Sequence, residues 1–214
     1  MADSTYKSIT ISRQMGSGGS YIGYLAAKEL GFKYMDREIL YEASTYLGMD
    51  SELLEQQEGK SSGIIENIIK MFSFGTPESY APPVRTSIYD KDLFQLECKI
   101  MNKIVDQYSA VIVGRGGFYA LKDRPEAIHV FLHAPLEFRI KRVMEVRKIE
   151  DYGKIRSMVV ESDRSRAKFT KDIIGVNWVD SNNFHLCIDS GAVDFHSVLE
   201  IIMKFLKNRI MKAR

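Results

Sequence analysis

The residues best suited to chemistry lie in one stretch near the start of the chain, Ile9 to Gly23, which reads ITISRQMGSGGSYIG. Three β-branched residues lead into a turn rich in glycine and serine, and an amphipathic helical pattern begins near Ser20. The order of strand, glycine loop and helix aims backbone N–H groups and the positive end of a helix at one place. Such a place binds anions, and phosphate is the anion that it favours.

This stretch matches part of the motif G-x-x-x-x-G-K-[ST], whose lysine reaches the β- and γ-phosphates of a nucleotide and whose hydroxyl reaches Mg²⁺. In that register Gly18 fills the second glycine position and Ser20 the hydroxyl position. Arg13 stands in place of the first glycine, and Gly19 stands in place of the lysine. The motif lacks the residue most closely tied to catalysis, so a tight turn before a helix is the alternative interpretation.

Length and composition are those of an ordinary globular protein. The 214 residues suffice for one substantial core, and 45% of them are hydrophobic and 27% charged. A net charge of +2 gives no reason to expect nucleic acid as a partner. No apolar run approaches the roughly 20 residues that a membrane helix needs, and the polar amino terminus predicts no secretory signal. We therefore expect a cytoplasmic protein without a membrane partner, whose oligomeric state the sequence leaves open.

The elements that must position these residues are short strands alternating with helices. Strand-like runs occur at 9–11, 33–35, 110–113, 128–132 and 185–188, and helical spacing follows most of them. The run AVIV at 110–113 is typical of a strand buried on both faces of a parallel sheet. This pattern predicts an α/β fold that gathers polar residues at the carboxyl ends of its strands, where such sheets bind ligands.

Two charged residues follow predicted strands directly. Asp36 closes the run 33–35, where it either caps the next helix or contacts a ligand at the edge of the sheet. Arg115 follows the run 110–113 within the sequence GRGG, whose glycines allow a ligand to approach closely. A salt bridge is the alternative for Arg115, but we favour a role in binding an anion.

Further arginines lie in the second half of the chain. The helix after Pro135 carries Arg139 and Arg142 on one face. Arg164 and Arg166 lie close together in the stretch ESDRSRAKFTKD at 161–172. Their charge is either neutralised by acidic neighbours on a solvated helix or used to grip phosphate, for which the planar arginine fork is suited.

Taken in order, these pieces resemble the cytidylate-kinase-like proteins in the nucleoside monophosphate kinase branch of P-loop folds. The resemblance covers residues 9 to about 202 and rests on ITISRQMGSGGSYIG, KYMDREIL, VIVGRGG, FLHAPLEFRIKRV, ESDRSRAKF and CIDSG. It implies one domain over 1–214 in three layers, with a five-stranded parallel sheet flanked by helices. It also implies two mobile segments, one for the nucleoside monophosphate at 51–83 and a lid at 147–180.

The resemblance further implies ATP-dependent transfer of phosphate to a nucleoside monophosphate, cytidylate-like, or to a similar small acceptor. The implied nucleotide loop is Gly16, Ser17, Gly18, Gly19 and Ser20, with Mg²⁺ held through the nucleotide and Ser20. The implied acceptor contacts are Asp36, Arg37 and Arg115. The arginines implied to grip the phosphates are Arg142, Arg164 and Arg166. For the missing lysine we favour Arg13, whose charge could swing toward the β-phosphate.

The sequence departs from cytidylate kinases proper at two positions. Gly19 replaces a lysine, and Gly116 replaces an acidic residue after the GR motif. A nucleotide- or phosphate-binding module without turnover is therefore an alternative function. A dinucleotide-binding Rossmann domain is a second alternative that Asp36 would suit, but Tyr21 stands where that fingerprint needs its third glycine.

Overall fold

A parallel sheet forms the centre of the fold, which the computed structural model describes over residues 7–36 and 91–212. Its five strands are β1 (Ser8–Arg13), β2 (Lys33–Met35), β3 (Ala110–Val113), β4 (Ala127–His133) and β5 (Leu186–Asp189). They lie in the order β2-β3-β1-β4-β5. Because β1 is central, the glycine loop that follows it leaves from the middle of the carboxyl edge, where open α/β sheets bind ligands.

Helices cover both faces of this sheet. The described helices are α1 (Gly19–Leu30), α2 (Lys91–Gln107), α3 (Gly117–Ala120), α4 (Leu136–Arg147), α5 (Tyr152–Phe169) and α6 (Phe195–Lys212). Apolar side chains of α1 and α6 pack on one face, and those of α2 and the end of α3 pack on the other. The predicted three-layer fold with a five-stranded parallel sheet is confirmed. None of the described helices is both long and apolar enough to cross a membrane.

The strand order excludes the dinucleotide-binding alternative. In that fold the second strand lies beside the first. Here β3 separates β1 from β2, and every β3 residue from Ala110 to Val113 pairs with β1. The Rossmann interpretation is therefore wrong, although both folds contain a strand, a glycine turn and a helix in the same sequence order.

The predicted elements differ from the observed ones in small ways. The last strand begins at Leu186 rather than at His185. The predicted lid range 147–180 contains α5 and a π-helical turn, Thr170–Ile174. Its role as a lid stays a prediction. Arg37 and the predicted acceptor-binding segment 51–83 lie outside the described residues.

A pair of histidines, one on β4 and one just before β5, lies away from the glycine loop. His129 on β4 shares a hydrogen bond of 2.8 Å between its Nδ1 and the Thr10 Oγ1, and its ring stacks on His185 at 5.0 Å between centroids. Burial lowers the pKa of His129 to about 4, and the positive charges of His185 and Arg209 add to this effect. His129 is therefore neutral in the folded protein at neutral pH.

We expect acid to destabilise the protein through His129. Its pKa is about 4 when folded against 6.5 in its ordinary state. Between these values the unfolded chain binds a proton that the folded chain does not, so the stabilisation is present above pH 6.5 and is lost as the pH falls. The loss amounts to at most about 3–4 kcal/mol. Urea unfolding across this range should give a smaller loss in His129→Gln than in the wild type.

His196→Gln is the matched control, because His196 is exposed on α6 beside Glu200. It should keep the wild-type dependence on pH. Equal pH dependence in His129→Gln and in the wild type would contradict the assignment to His129.

Candidate functional site

The glycine loop between β1 and α1 is packed so closely that side chains are excluded from it. Gly16 and Gly18 have φ angles of +86° and +80°, which favour glycine. A Cβ at Gly16 would lie 2.6 Å from the carbonyl oxygen of Arg139, and one at Gly18 would lie 2.5 Å from the ring of Phe195. Gly18 caps α1 and supplies no side chain to bond the first-turn N–H groups. The loop thus has the bare backbone that phosphate binding requires.

Ser17, predicted to bind the nucleotide, is buried and serves the shape of the loop. Its hydroxyl donates to the carbonyl oxygen of Gln14 at 2.9 Å. Its own carbonyl oxygen accepts a hydrogen bond of 2.7 Å from the hydroxyl of Ser190, which follows β5. The loop is thereby fastened to the neighbouring edge of the sheet. A contact between Ser17 and a nucleotide stays a prediction.

The side chain of Arg13 occupies the space beside Gly19, where the motif would have its lysine. A Cβ at Gly19 would lie 2.5 Å from the Cβ of Arg13 and 2.7 Å from its Cγ. The guanidinium extends from there to Gly114, where a Cβ would collide with Nη1. Glycine at 19 and at 114 therefore leaves room for one arginine, which runs from the start of α1 to the end of β3.

Asp36 and Tyr34 lie in the same region as Arg13. The Tyr34 hydroxyl donates to the carbonyl oxygen of Ser20 at 3.4 Å. Burial raises the pKa of Tyr34 well above its usual value, the Asp36 carboxylate raises it further, and the Arg13 guanidinium opposes both. Arg13 is the last residue of β1, and Asp36 directly follows β2. Asp36, a predicted acceptor contact, thus lies at the same edge of the sheet as Arg13.

Arg142 on α4 is brought to the loop through an aromatic ring. Its Cζ lies 4.9 Å from the centroid of Phe195, the ring that also packs on Gly18. Stacking on a ring holds a guanidinium in place. The structure thus places Arg142 beside the ring that packs on Gly18, and its predicted contact with phosphate stays a prediction.

Arg164 and Arg166 on α5 lie on different sides of the helix. Arg166 is 30% exposed, and its Nη1 lies 3.3 Å from the carboxylate of Asp163. Arg164 is 72% exposed and pairs with Glu161, itself 61% exposed. Of the two predicted phosphate clamps, Arg166 faces the loop side of the helix, because Asp163 also contacts the loop. Arg164 lies in the solvated pair that was the alternative interpretation.

Arg115 forms the salt bridge that was the alternative to anion binding. Its Nε donates to Oε1 of Glu97 on α2 at 2.7 Å, and its Nη2 contacts the same oxygen. The two side chains are 9% and 0% exposed, and the guanidinium lies 5.6 Å from the ring of Phe169. Removing Arg115 would leave Glu97 charged and buried, at a cost of about 3–5 kcal/mol. Contact between Arg115 and an acceptor phosphate stays a prediction.

Gly116 is fixed by its surroundings and leaves no room for a carboxylate. Its φ is +65°, and a Cβ there would lie 2.7 Å from Ile174 Cδ1 and 3.0 Å from the ring of Phe94. The acidic residue of cytidylate kinases proper therefore has no place in this packing. The carboxylate nearest Arg115 comes instead from Glu97.

Sequence reasoning missed several residues that shape the site. These residues come from distant parts of the chain and contact the loop or its arginines: Glu97, Asp163, Ser190 and Phe195. Ser190 lies in CIDSG, one of the sequence pieces on which the family resemblance rests. The others have ordinary positions on amphipathic helices, where nothing in the spacing distinguishes them.

The packing of Arg13 against Gly19 can be measured by a double-mutant cycle. Gly19→Ala should lower the free energy of unfolding by about 1–3 kcal/mol, because the new methyl group collides with the Arg13 stem. Arg13→Gly removes both colliding atoms, so Gly19→Ala should cost much less in that background. Urea unfolding of the four proteins gives the coupling.

Gly153→Ala provides the control for the cycle. Gly153 also lies in the first turn of a helix, and its Cβ would meet only Asp151 Oδ1 at 3.5 Å, an ordinary contact. We expect Gly153→Ala to be neutral or stabilising. If Gly19→Ala is as harmless as Gly153→Ala, Arg13 does not occupy that space.

Comparison with known proteins agrees with the fold and identifies the family. No curated protein matches the chain in sequence. Solved structures similar to it include an uncharacterized protein from Eubacterium ventriosum, 22% identical with a TM-score of 0.69, over 94% of this chain and 98% of that one. A gluconokinase from Sinorhizobium meliloti is 14% identical with a TM-score of 0.54, over 98% and 99% of the two chains. The protein TT1252 from Thermus thermophilus is 15% identical with a TM-score of 0.52, over 94% and 98%.

At these identities the structural likeness establishes the fold alone. The family is established by sequence, since the model of the cytidylate kinase-like family matches residues 8–192. That match includes the glycine loop, all five strands and the arginines of α4 and α5. The chain therefore belongs to the cytidylate kinase-like family.

Proposed function

We propose that the protein transfers the γ-phosphate of ATP to a small acceptor, and that nucleoside monophosphates are the acceptor class. Membership of the cytidylate kinase-like family supports a phosphotransferase that acts on a small substrate. The observation that carries the finer proposal is the course of Arg13, whose stem fills the lysine position beside Gly19 and whose guanidinium lies at Gly114. This course supports the proposal that Arg13, rather than a lysine at position 19, supplies a cation to the phosphates.

The chemistry needs positioned positive charge more than it needs a base. Phosphoryl transfer passes through a loose transition state whose charge is spread over the equatorial oxygens of the transferred group. In our proposal Arg13 binds the phosphates at the loop, while Arg142 and Arg166 neutralise charge from α4 and α5. The first-turn N–H groups of α1 add fixed dipoles at no cost in reorganisation.

The residues at the loop fit a nucleotide with its magnesium ion. Backbone φ angles and close contacts keep side chains out of Gly16 and Gly18, so phosphate oxygens can approach the N–H groups there. Ser20, in the first turn of α1, offers the hydroxyl oxygen that Mg²⁺ accepts as a ligand. The ion would neutralise part of the phosphate charge there, and Ser20 would hold it.

The acceptor would bind at the carboxyl ends of β2 and β3, beside Asp36. The Arg13 guanidinium lies at Gly114 in this region, so one cation lies between the loop and the acceptor side. Arg115 and Arg37 belong to the proposed acceptor contacts as well. Arg115 forms a buried ion pair with Glu97, so an acceptor that contacts Arg115 must reach this ion pair. A cytoplasmic location accords with the free nucleotides that the reaction would use.

A binding module without turnover is the second candidate function. It is favoured by the ion pair of Arg115 with Glu97, which engages one predicted acceptor contact, and by Gly116, where no carboxylate fits. In this candidate the loop binds a nucleotide or phosphate, and no acceptor is phosphorylated.

The test is release of ADP from Mg-ATP in the presence of CMP, dCMP, UMP, AMP or GMP. We expect turnover with one acceptor, and a fall in kcat/KM of about 10²–10³-fold in Arg13→Ala, as for loss of a donor that stabilises transition-state charge. Arg156→Ala is the matched control, because Arg156 is exposed on α5. It should leave turnover unchanged.

The remaining outcomes separate the two candidates. Wild-type activity retained in Arg13→Ala would contradict the role of Arg13. Binding of Mg-ATP by calorimetry without turnover on any acceptor would favour the binding module. Absence of both binding and turnover would contradict both functions.

A further inference from the structure

The carboxylate of Asp163 joins the glycine loop to two helices. Its Oδ1 accepts a hydrogen bond of 2.9 Å from the N–H of Met15, and its Oδ2 accepts one of 2.6 Å from Nη1 of Arg139. The side chains of Asp163 and Arg139 are 17% and 7% exposed. Charge-assisted hydrogen bonds shielded from water are strong and directional. Asp163 on α5 is therefore firmly attached to both the loop and α4.

Met15 is held at this point by its backbone and by its side chain. Its carbonyl oxygen accepts a hydrogen bond of 3.1 Å from Nη1 of Arg139. Its side chain packs against an apolar cluster shared by α4 and α5, formed by Ile140, Val143, Ile155 and Val159. Gly16, the next residue, lies directly on the backbone of Arg139. A displacement of α5 must therefore move the loop or break these contacts.

The same carboxylate also holds Arg166, but more weakly. The distance from Arg166 Nη1 to Asp163 Oδ1 is 3.3 Å, and the Arg166 side chain is 30% exposed. A longer and more solvated hydrogen bond contributes less than the short buried one to Arg139. Asp163 therefore also orients Arg166, which is more exposed to solvent than Arg139.

A second arginine–carboxylate pair on α5 has the same spacing and none of this burial. Glu161 and Arg164 are also three residues apart, and Arg164 Nη1 lies 3.1 Å from Glu161 Oε2. Both side chains are mostly exposed, so this pair contributes little. It provides a matched comparison for the pair of Asp163 with Arg166.

We propose that Asp163 is a positioning residue for phosphoryl transfer, which couples the glycine loop to α5 and holds Arg166 ready for the transferred phosphate. This inference rests on the proposed function, since it requires a nucleotide at the loop. Because coupling is reciprocal, a nucleotide that orders the loop must also restrain α5. The carboxylate itself touches no phosphate and acts through Met15 and Arg166.

The test is amide hydrogen exchange of the full chain by NMR, with and without Mg-ATP. In the wild type Mg-ATP should slow exchange along residues 152–169 by about tenfold, within the usual range of coupling between sites. Asp163→Asn removes the charge that pairs with Arg139 and Arg166 and should reduce this protection severalfold, whereas Glu161→Gln should keep it. In the ADP-release assay Asp163→Asn should lower kcat by more than it raises the KM for ATP, a split that loss of stability alone does not produce.

Two results overturn the proposal. One is protection of residues 152–169 by Mg-ATP in Asp163→Asn that equals the wild-type protection. The other is an equal loss of this protection in Asp163→Asn and in Glu161→Gln. If Asp163→Asn does not fold, Arg139→Gln/Asp163→Asn replaces it, because that variant leaves no buried cation without its carboxylate. If the wild type binds no Mg-ATP, the proposed function fails. The coupling between the loop and α5 is then tested by hydrogen exchange of the Met15 backbone amide in the absence of nucleotide. Exchange of this amide that is about tenfold faster in Asp163→Asn than in Glu161→Gln supports the coupling, and equal exchange overturns it.

Discussion

Close packing of the Arg13 stem against Gly19 is the contact on which the site depends. It leaves no space for a side chain at the first residue of α1, so the lysine of the usual motif cannot stand there. The guanidinium continues to Gly114, where glycine is again the residue that fits. The cation comes from β1, and the glycines at positions 19 and 114 leave the space that it occupies. The degenerate motif is therefore a consistent way of holding positive charge beside the glycine loop.

The arginines of the site divide according to their partners. Arg139 and Arg115 are buried, and each is paired with a carboxylate because a buried guanidinium without one would be costly. Arg142 lies on an aromatic ring, and Arg166 has a long bond to Asp163. The ion pairs of the first two are shielded from water, whereas the side chain of Arg166 is 30% exposed. The planar fork allows arginine to serve in both settings, which lysine does less well.

The sequence predicted the features that depend on local pattern. The run AVIV could be assigned to a central strand, since a continuous apolar run that stops at glycine is typical of a strand buried on both faces. The glycine spacing likewise located the loop. Contacts between distant residues were beyond such reasoning, because Met15 and Asp163 are 148 positions apart and Glu97 reaches Arg115 from α2. Periodicity also left Arg164 and Arg166 equivalent, because it does not tell which face of a helix meets which neighbour.

The central claim is that Arg13 supplies the charge of the missing lysine. A crystal structure of the wild-type protein with Mg²⁺ and a non-hydrolysable ATP analogue tests it most directly. The account predicts the β-phosphate on the backbone of residues 16–20 and a guanidinium nitrogen of Arg13 within hydrogen-bonding distance, roughly 3 Å, of a β- or γ-phosphate oxygen. A nucleotide bound elsewhere, or one bound at the loop with the Arg13 guanidinium turned away from its phosphates, would contradict the account.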